Sequence, residues 1–168
     1  MSDPGALFQV FPVMPSDWAE YKEIRLRALA DAPSAFGSSW AVERERPDEA
    51  WRERAGATPK RQIWSARSRE GWVGLVGALR EDDGKVQLVS MWVDPSWRRR
   101  GVARALIAVV VAWFGTAPNT GLYLWVSSDN EAARRCYQTE GFQLSGARSP
   151  LPSDPRRSRV EMHLVGPS

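Results

Sequence analysis

The chain has 168 residues, with 23 lysines and arginines against 20 aspartates and glutamates, and a net charge of +3. This length favours a single domain over residues 1–168 with a substantial core, and the small charge excess argues against a nucleic-acid-binding protein. The single cysteine, Cys136, excludes an internal disulfide framework and a CxxC metal site, and no apolar run approaches the roughly 20 residues that span a bilayer.

The first residues lack the basic start and apolar stretch of a secretory signal. We therefore expect a cytoplasmic protein that is a monomer or a homodimer and has neither a membrane nor a nucleic-acid partner. Histidine, cysteine and carboxylate side chains do not cluster at metal-ligand spacing, so we expect no metal cofactor.

One strand and two helices are predicted in the N-terminal third. The strand covers residues 7–13, and a helix of about fifteen residues follows the capping pair Ser16 and Asp17. Its apolar side includes Tyr21 and Ile24, and its charged residues, Arg25 among them, fall largely on the opposite side. A loop is expected at residues 35–40, and the second helix at residues 47–54.

The remaining chain predicts a mixed sheet. Short apolar runs at residues 62–67, 72–79 and 86–93 are separated by polar turns that end in glycine, which is typical of an antiparallel meander. An apolar helix at residues 102–114 leads to a strand at residues 122–126, which indicates a parallel pair. A capped helix from residue 128 to Gly141 precedes strands at residues 142–147 and 159–165, with a loop at residues 148–158. The fold class is therefore α/β in the broad α+β sense, with a mostly antiparallel twisted sheet of about six to seven strands and about four helices.

The junction between the strand at residues 86–93 and the following helix has the composition of an anion site. Arg98, Arg99 and Arg100 precede Gly101, and Ala103 keeps the first helical turn slim. The N-terminus of a helix presents unpaired N–H groups and the positive end of the helix dipole, and a glycine lets a ligand approach the backbone. The sequence therefore predicts a phosphate-binding site at this junction.

A second segment places Asn130 and Tyr137 seven residues apart, which is two helical turns, so the two side chains share a face. A phenol with a reference pKa of about 10 is protonated at neutral pH and can act as a general acid. Taken singly, the two residues favour a structural interpretation, with Tyr137 as a core aromatic residue and Asn130 as the start of a helix.

Together the two segments resemble the GCN5-related N-acetyltransferases (GNAT). Arg98-x-x-Gly101-x-Ala103 is similar to the Q/R-x-x-G-x-G/A signature that holds the pyrophosphate of acetyl-coenzyme A in that superfamily, and residues 130–142 are similar to its N-x-x-A-x-x-x-Y-x-x-x-G-F segment. The resemblance covers residues 62–165 best. It implies acetyl-CoA as the co-substrate and a parallel strand pair that splays around it. The implied cofactor-binding residues are Met91, Trp92, Val93, Arg98, Arg99, Arg100, Gly101, Val102, Ala103, Arg104, Asn130 and Tyr137.

The resemblance also implies a direct transfer of the acetyl group to a primary amine in a ternary complex. Tyr137 would be the general acid for the departing thiolate, and one backbone N–H within residues 91–93 would lie at the thioester oxygen. The general base stays open, and Glu43 and Glu45 are the candidates because they lie in the segment expected near the acceptor. The short chain favours a small-molecule acceptor.

Three alternatives remain at this point. The acceptor of the enzyme could be a protein N-terminus or a lysine. A non-catalytic acyl-CoA sensor would keep residues 98–103 but would not need Tyr137, whose presence favours the enzyme. A basic module that binds nucleic acid or an acidic protein would show binding that falls steeply with salt and would not respond to acetyl-CoA.

Overall fold

The computed structural model describes residues 6–115 and 121–164. Within these ranges it contains seven strands, β1 Phe8–Pro12, β2 Arg61–Ser68, β3 Gly71–Arg80, β4 Val86–Val93, β5 Leu122–Ser127, β6 Phe142–Leu151 and β7 Asp154–Leu164. The same ranges contain five α-helices, α1 Trp18–Asp31, α2 Trp40–Glu43, α3 Asp48–Ala55, α4 Val102–Phe114 and α5 Glu131–Thr139. None of the helices in the described part of the chain combines the length and the apolar character that crossing a bilayer requires.

The strands form one sheet in the order β1-β2-β3-β4-β5-β7-β6. Only β4 and β5 pair in parallel, and α4 connects them; the other neighbouring strands pair antiparallel. The mixed, mostly antiparallel sheet with a central parallel pair, predicted from the sequence, is confirmed.

Helices cover both faces of the sheet. Because side chains alternate along a strand, neighbouring residues of β3 serve different cores: Leu75 packs with α1 and α3, and Val76 packs with α4. The core under α1 and α3 contains Val13, Tyr21, Ile24, Ala28, Leu29, Phe36, Trp51, Ala55, Leu75 and Trp92. The opposite core contains Val102, Leu106, Ile107 and Val110 of α4 and Tyr137 of α5.

A glycine in β3 lets α4 pack closely on the sheet. A Cβ on Gly74 would lie 2.9 Å from a methyl group of Val102 and 3.0 Å from a methyl group of Leu106, closer than side chains tolerate. The small residue therefore sets the distance between β3 and the start of α4, and with it the position of the junction that precedes this helix.

The expected loop at residues 148–158 is wrong. β6 continues to Leu151 and β7 already begins at Asp154, so the two strands form a long hairpin in which Pro150 pairs with Ser158. Pro150 is tolerated because β6 is the edge strand of the sheet, which has a neighbouring strand on one side only. The prediction for Val165 lies outside the described residues.

The segment between α1 and α3 also differs from the expected plain loop. A single 3₁₀ turn forms at Pro33–Ala35, and one turn of helix, α2, begins at Trp40. Ser39 caps α2, since its hydroxyl accepts a hydrogen bond from the backbone N–H of Val42 at 3.3 Å. The turn at Pro33–Ala35 lies beside β5, so this segment crosses the sheet near its parallel pair.

Candidate active site

The parallel strands β4 and β5 separate after a short paired region. They pair only at Val86 with Leu122 and at Gln87 with Tyr123, although β4 continues to Val93 and β5 to Ser127. Beyond these pairs, the edge of β4 that faces β5 carries backbone N–H and C=O groups without a strand partner. The sheet thus contains an opening lined by hydrogen-bonding groups, which we call the strand gap.

A β-bulge in β4 borders the strand gap. Gly77 of β3 pairs with Val89 and Leu75 pairs with Trp92, so a single residue of β3, Val76, lies opposite both Ser90 and Met91. Ser90 has a φ of 57°, in the left-handed region that residues other than glycine rarely adopt. Such a bulge turns the backbone groups of β4 away from the regular ladder.

The turn between β4 and α4 places two further left-handed residues before the helix. Arg99 has a φ of 60° and Gly101 a φ of 83°. Gly101 is the N-cap of α4 and has no side chain to cap the first turn, and a Cβ built on it would meet nothing within 4 Å. Open space above uncapped helical N–H groups suits an anion. We call residues 98–104 the cradle.

The arginines of the cradle differ in how far they are engaged. Arg98 donates from Nε to the carbonyl oxygen of Val93 at 3.1 Å and from Nη2 to Asp31 at 2.9 Å. Arg99 and Arg100 are exposed, and the guanidinium of Arg100 lies 5.1 Å from the ring centroid of Trp97. The side chain of Arg104 is also exposed, with Glu140 at 3.9 Å. Arg98 therefore braces the turn, while the other three can reorient toward a ligand.

The remaining cradle and strand residues offer mainly their backbone to the gap. Val102 is buried and Ala103 partly buried against the α4 core. The side chains of Trp92 and Val93 are buried as well, and the indole N–H of Trp92 donates a hydrogen bond to the carboxylate of Asp31 at 2.9 Å. Met91 packs partly buried against the core beneath α4.

Helix α5 carries the second predicted segment. Asn130 is its N-cap, and the side-chain oxygen accepts a hydrogen bond from the N–H of Ala133 at 3.2 Å. Tyr137 is 8% exposed, and its ring meets that of Phe142 edge to face at 5.8 Å between centroids. Both residues thus have structural roles, and within the described part of the chain the amide nitrogen of Asn130 and the hydroxyl of Tyr137 make no hydrogen bond and are available for a ligand.

Burial keeps the phenol of Tyr137 and the thiol of Cys136, both on α5, protonated. Burial, and then the neighbouring Cys136, raise the pKa of Tyr137 above its ordinary value. Burial and then the charge of Glu140 likewise raise the pKa of the Cys136 thiol. A protonated phenol can donate a proton, whereas a protonated thiol is a poor nucleophile, so the environment favours Tyr137 over Cys136 for chemistry.

Comparison with known proteins identifies the family of the chain. The model of the acetyltransferase (GNAT) family matches residues 21–142. The chain belongs to the GNAT family. Its relatives include an uncharacterised N-acetyltransferase of Mycobacterium tuberculosis, 34% identical over 94 residues, which are 54% of this chain and 58% of the relative. They also include the N-alpha-acetyltransferase RimI of the same organism, 32% identical over 95 residues, 55% of this chain and 58% of RimI. The chain thus spans little more than half the length of either relative.

Solved GNAT structures share the fold. Arabidopsis thaliana NAA60 in complex with acetyl-CoA has a TM-score of 0.68 at 20% identity, over 93% of this chain and 97% of NAA60. Nourseothricin acetyltransferase has a TM-score of 0.58 at 21% identity, over 65% of this chain and 67% of that protein. At these identities the likeness concerns the fold alone.

The residues present fit the shape and charge of acetyl-CoA. The cradle joins uncapped N–H groups, open space above Gly101 and exposed arginines, as a pyrophosphate requires. The strand gap offers unpaired backbone groups to an extended arm that carries amides. The family to which the chain belongs is one of acetyltransferases.

One of the two candidate bases, Glu43, lies in a buried ion pair. Its side chain is 1% exposed, and its two oxygens accept hydrogen bonds from Arg25 at 2.9 and 3.0 Å, with Arg54 at 3.4 Å. Burial alone would raise the pKa of Glu43, but the hydrogen bonds and charge of Arg25, with the charge of Arg54, outweigh it and hold the pKa below its ordinary value. A carboxylate in this setting accepts a proton poorly.

The other candidate base, Glu45, is in the opposite situation. Its side chain is 71% exposed and pairs with Arg44 at 2.8 Å. The guanidinium of Arg44 in turn lies 4.6 Å from the centroid of the exposed ring of Trp40. Glu45 therefore keeps contact with solvent, into which a base must eventually release its proton.

The expectation that Arg25 lies on the charged side of the first helix is wrong, since Arg25 is 6% exposed. The buried residues of α1 are Tyr21, Ile24, Arg25, Ala28 and Leu29. Their spacing, i, i+3, i+4, i+7 and i+8, is that of one helical face, so a charge at position 25 falls within the apolar stripe. The burial of Arg25 could thus have been predicted from this spacing, whereas the partners of Arg25, Glu43 and Ser90, could not be inferred from the sequence.

Two cavities flank α1. One of about 290 Å³ borders the bulge at Val89 and Ser90 and extends between Tyr21, Arg54, Arg61 and the strands β2 and β3. The other, of about 310 Å³, lies near the turn after β4, and four of its lining residues are acidic, Glu20, Glu23, Glu70 and Asp94. Among the described residues, the charged side chains lining the first cavity are both arginines, so the two cavities differ in sign.

Proposed function

We propose that the chain transfers the acetyl group of acetyl-CoA to a primary amine of a small molecule by direct attack in a ternary complex. The observation that supports this most strongly is that one fold combines the cradle, the strand gap with its bulge, and a protonated phenol, Tyr137, in the same core as Val93 and Val102. Family membership supports the acyltransferase class, and the relatives leave the acceptor open.

Each of the chain's groups has a distinct role in this proposal. The cradle N–H groups and exposed arginines bind the pyrophosphate, and the backbone of residues 91–93 aligns the pantetheine arm. One of these backbone N–H groups polarises the thioester carbonyl. Tyr137 donates a proton to the departing sulfur, which its raised pKa allows across the neutral range. Acetyl-CoA supplies the activated acetyl group.

For the acceptor, we assign the cavity of about 290 Å³ beside the bulge. Its size suits a small molecule, and its lining by Arg54 and Arg61 disfavours a polycationic amine. Glu45 is the candidate base that can exchange protons with solvent, and a chain of water molecules could serve in its place.

The test is release of free coenzyme A thiol from acetyl-CoA in the presence of single acceptors. The panel contains small primary amines, with and without a carboxylate, and short peptides with a free N-terminus or a free lysine. We expect saturable, acceptor-dependent release with at least one small amine. Thiol release with peptides only would mean that the acceptor is a protein or peptide amine. Binding of acetyl-CoA without thiol release in the presence of any acceptor would support the non-catalytic acyl-CoA sensor.

A further inference from the structure

We propose that Arg25 is a positioning residue for the transfer reaction, because it holds Ser90 in the left-handed conformation that forms the bulge in β4. Through Ser90 it fixes the direction of the backbone N–H groups at the wall of the strand gap. The catalytic part of this inference rests on the proposed function; the conformational part does not.

The conformation of Ser90 needs an external cause. Serine has a Cβ, which makes a φ of 57° unfavourable, and such a residue persists only where its surroundings enforce it. The bulge lies between Gly77 and Leu75 of β3, next to the strand gap. A relaxation of Ser90 toward the extended region would rotate the peptide plane that joins it to Met91.

Arg25 supplies a short and well-oriented contact to this residue. Its Nη1 donates to the hydroxyl oxygen of Ser90 at 2.6 Å. The remaining side of the guanidinium is fixed, since Nε and Nη2 both donate to the carboxylate of Glu43, and the plane lies 4.7 Å from the ring centroid of Phe36. A planar group held along one edge by Glu43 and over one face by Phe36 cannot follow Ser90 if the bulge relaxes.

The contact joins elements that are far apart in sequence. Arg25 is on α1, Glu43 ends α2, and Ser90 lies in the middle of β4, 65 residues after Arg25. Arg54 of α3 also reaches Glu43 at 3.4 Å. The carboxylate of Glu43 therefore links side chains of all three helices on this face, and the guanidinium of Arg25 connects this cluster to Ser90 in the bulge.

A pair of substitutions at Ser90 separates positioning from packing. Ser90→Ala and Ser90→Gly both delete the hydroxyl, but only alanine retains the Cβ that disfavours the left-handed region. We expect kcat to fall about tenfold in Ser90→Ala, because a displaced N–H loses its alignment with the carbonyl, and to stay within about twofold in Ser90→Gly. The KM for acetyl-CoA should change little in both variants.

The same logic applies to Arg25. Arg25→Met combined with Glu43→Gln removes the guanidinium without leaving a buried charge, and we expect the same loss in kcat. Adding Ser90→Gly to this double variant should restore most of kcat, since glycine adopts the left-handed conformation unaided. Equal losses in Ser90→Ala and Ser90→Gly, or no recovery in the triple variant, would overturn the positioning role.

A second measurement makes the outcome independent of turnover. In ¹⁵N-labelled protein, the three-bond coupling between the amide and α protons of residue 90 reports its φ. We expect the left-handed value in the wild type and in Ser90→Gly and a shift toward the extended value in Ser90→Ala. If residue 90 of Ser90→Ala stays left-handed, the role of Arg25 is refuted. If the couplings are as expected but the wild type transfers no acetyl group to any acceptor, only the proposed function is refuted.

Discussion

The cradle and the face under α1 to α3 use arginine in opposite ways. In the cradle, Arg99 and Arg100 are exposed and have no carboxylate within 4 Å among the described residues. On the other face, Arg25 and Arg54 converge on one buried carboxylate, and Arg27 pairs with Asp94 and stacks on Trp92. A surface arginine without a carboxylate partner can bind a phosphate, whereas an arginine in an ion pair within the fold holds the paired elements in position.

The largest effect on stability should come from breaking the buried cluster of Arg25, Glu43 and Arg54. In Glu43→Gln, Arg25 stays buried without its counter-charge, and the loss of a partner from a buried pair costs about 3–5 kcal/mol of unfolding free energy. Urea denaturation at neutral pH measures it. The double variant with Arg25→Met should recover part of the loss, and a fully stable Glu43→Gln protein would show that the pair does not organise this face.

The same pair predicts a pH dependence of stability. The pKa of Glu43 is lowered in the folded protein, so its contribution is present above the unfolded pKa of about 4.3 and is lost as the pH falls through the folded pKa. We expect the melting temperature of the wild type to drop more steeply in this acidic range than that of Glu43→Gln. Parallel curves for the two proteins would contradict the lowered pKa.

The next effect concerns chemistry beside the cradle. Tyr137→Phe keeps the edge-to-face contact with Phe142 and removes the proton donor, so kcat should fall by about 100-fold while the KM for acetyl-CoA changes little. Because the pKa of Tyr137 is raised, the wild type should lose no activity through this group up to about pH 10. Tyr123→Phe, at the closed end of the strand gap, is the control and should retain kcat; an equally active Tyr137→Phe enzyme would remove the proposed acid.

A smaller effect should follow from filling the cradle. Gly101→Ala places a Cβ on a residue with a φ of 83°, in the space assigned to the pyrophosphate, and we expect acetyl-CoA to bind about tenfold more weakly. Gly146→Ala is the matched control, because Gly146 has a φ of 93° and equal open space but lies in β6. Isothermal titration calorimetry distinguishes the two, and equal weakening would mean that backbone strain alone is responsible.

The smallest effect is expected from the free arginines themselves. Replacing Arg99 and Arg100 together by alanine should weaken acetyl-CoA binding about threefold, since exposed charge pairs contribute little, and should reduce its salt dependence. Arg69→Ala, an exposed arginine in the turn between β2 and β3, should change neither quantity. A loss far above threefold would show that these side chains, rather than the backbone N–H groups, hold the pyrophosphate.

The comparison also shows what could be predicted from the sequence. Arg98 to Ala103 and Asn130 to Tyr137 are each contiguous, so their spacing alone indicated a helix start and a shared helical face, and the structure has Gly101 and Asn130 at N-caps. The contact of Arg25 with Ser90 depends on how α1 packs across β4, which local spacing does not encode. Pro150 led to the wrong prediction of a loop at residues 148–158, because a proline is compatible with a strand at the edge of a sheet. Which strand lies at the edge depends on the strand order of the whole sheet and cannot be inferred from the local sequence.

The most direct test of the central claim is a titration of ¹⁵N-labelled protein with acetyl-CoA, followed by amide chemical shifts. We expect saturable shifts of the amides of residues 91–93 and 99–104 at one common affinity, and unchanged amides in β1, on the far edge of the sheet. Shifts confined to other regions, or none at millimolar acetyl-CoA, would contradict binding in the strand gap and cradle.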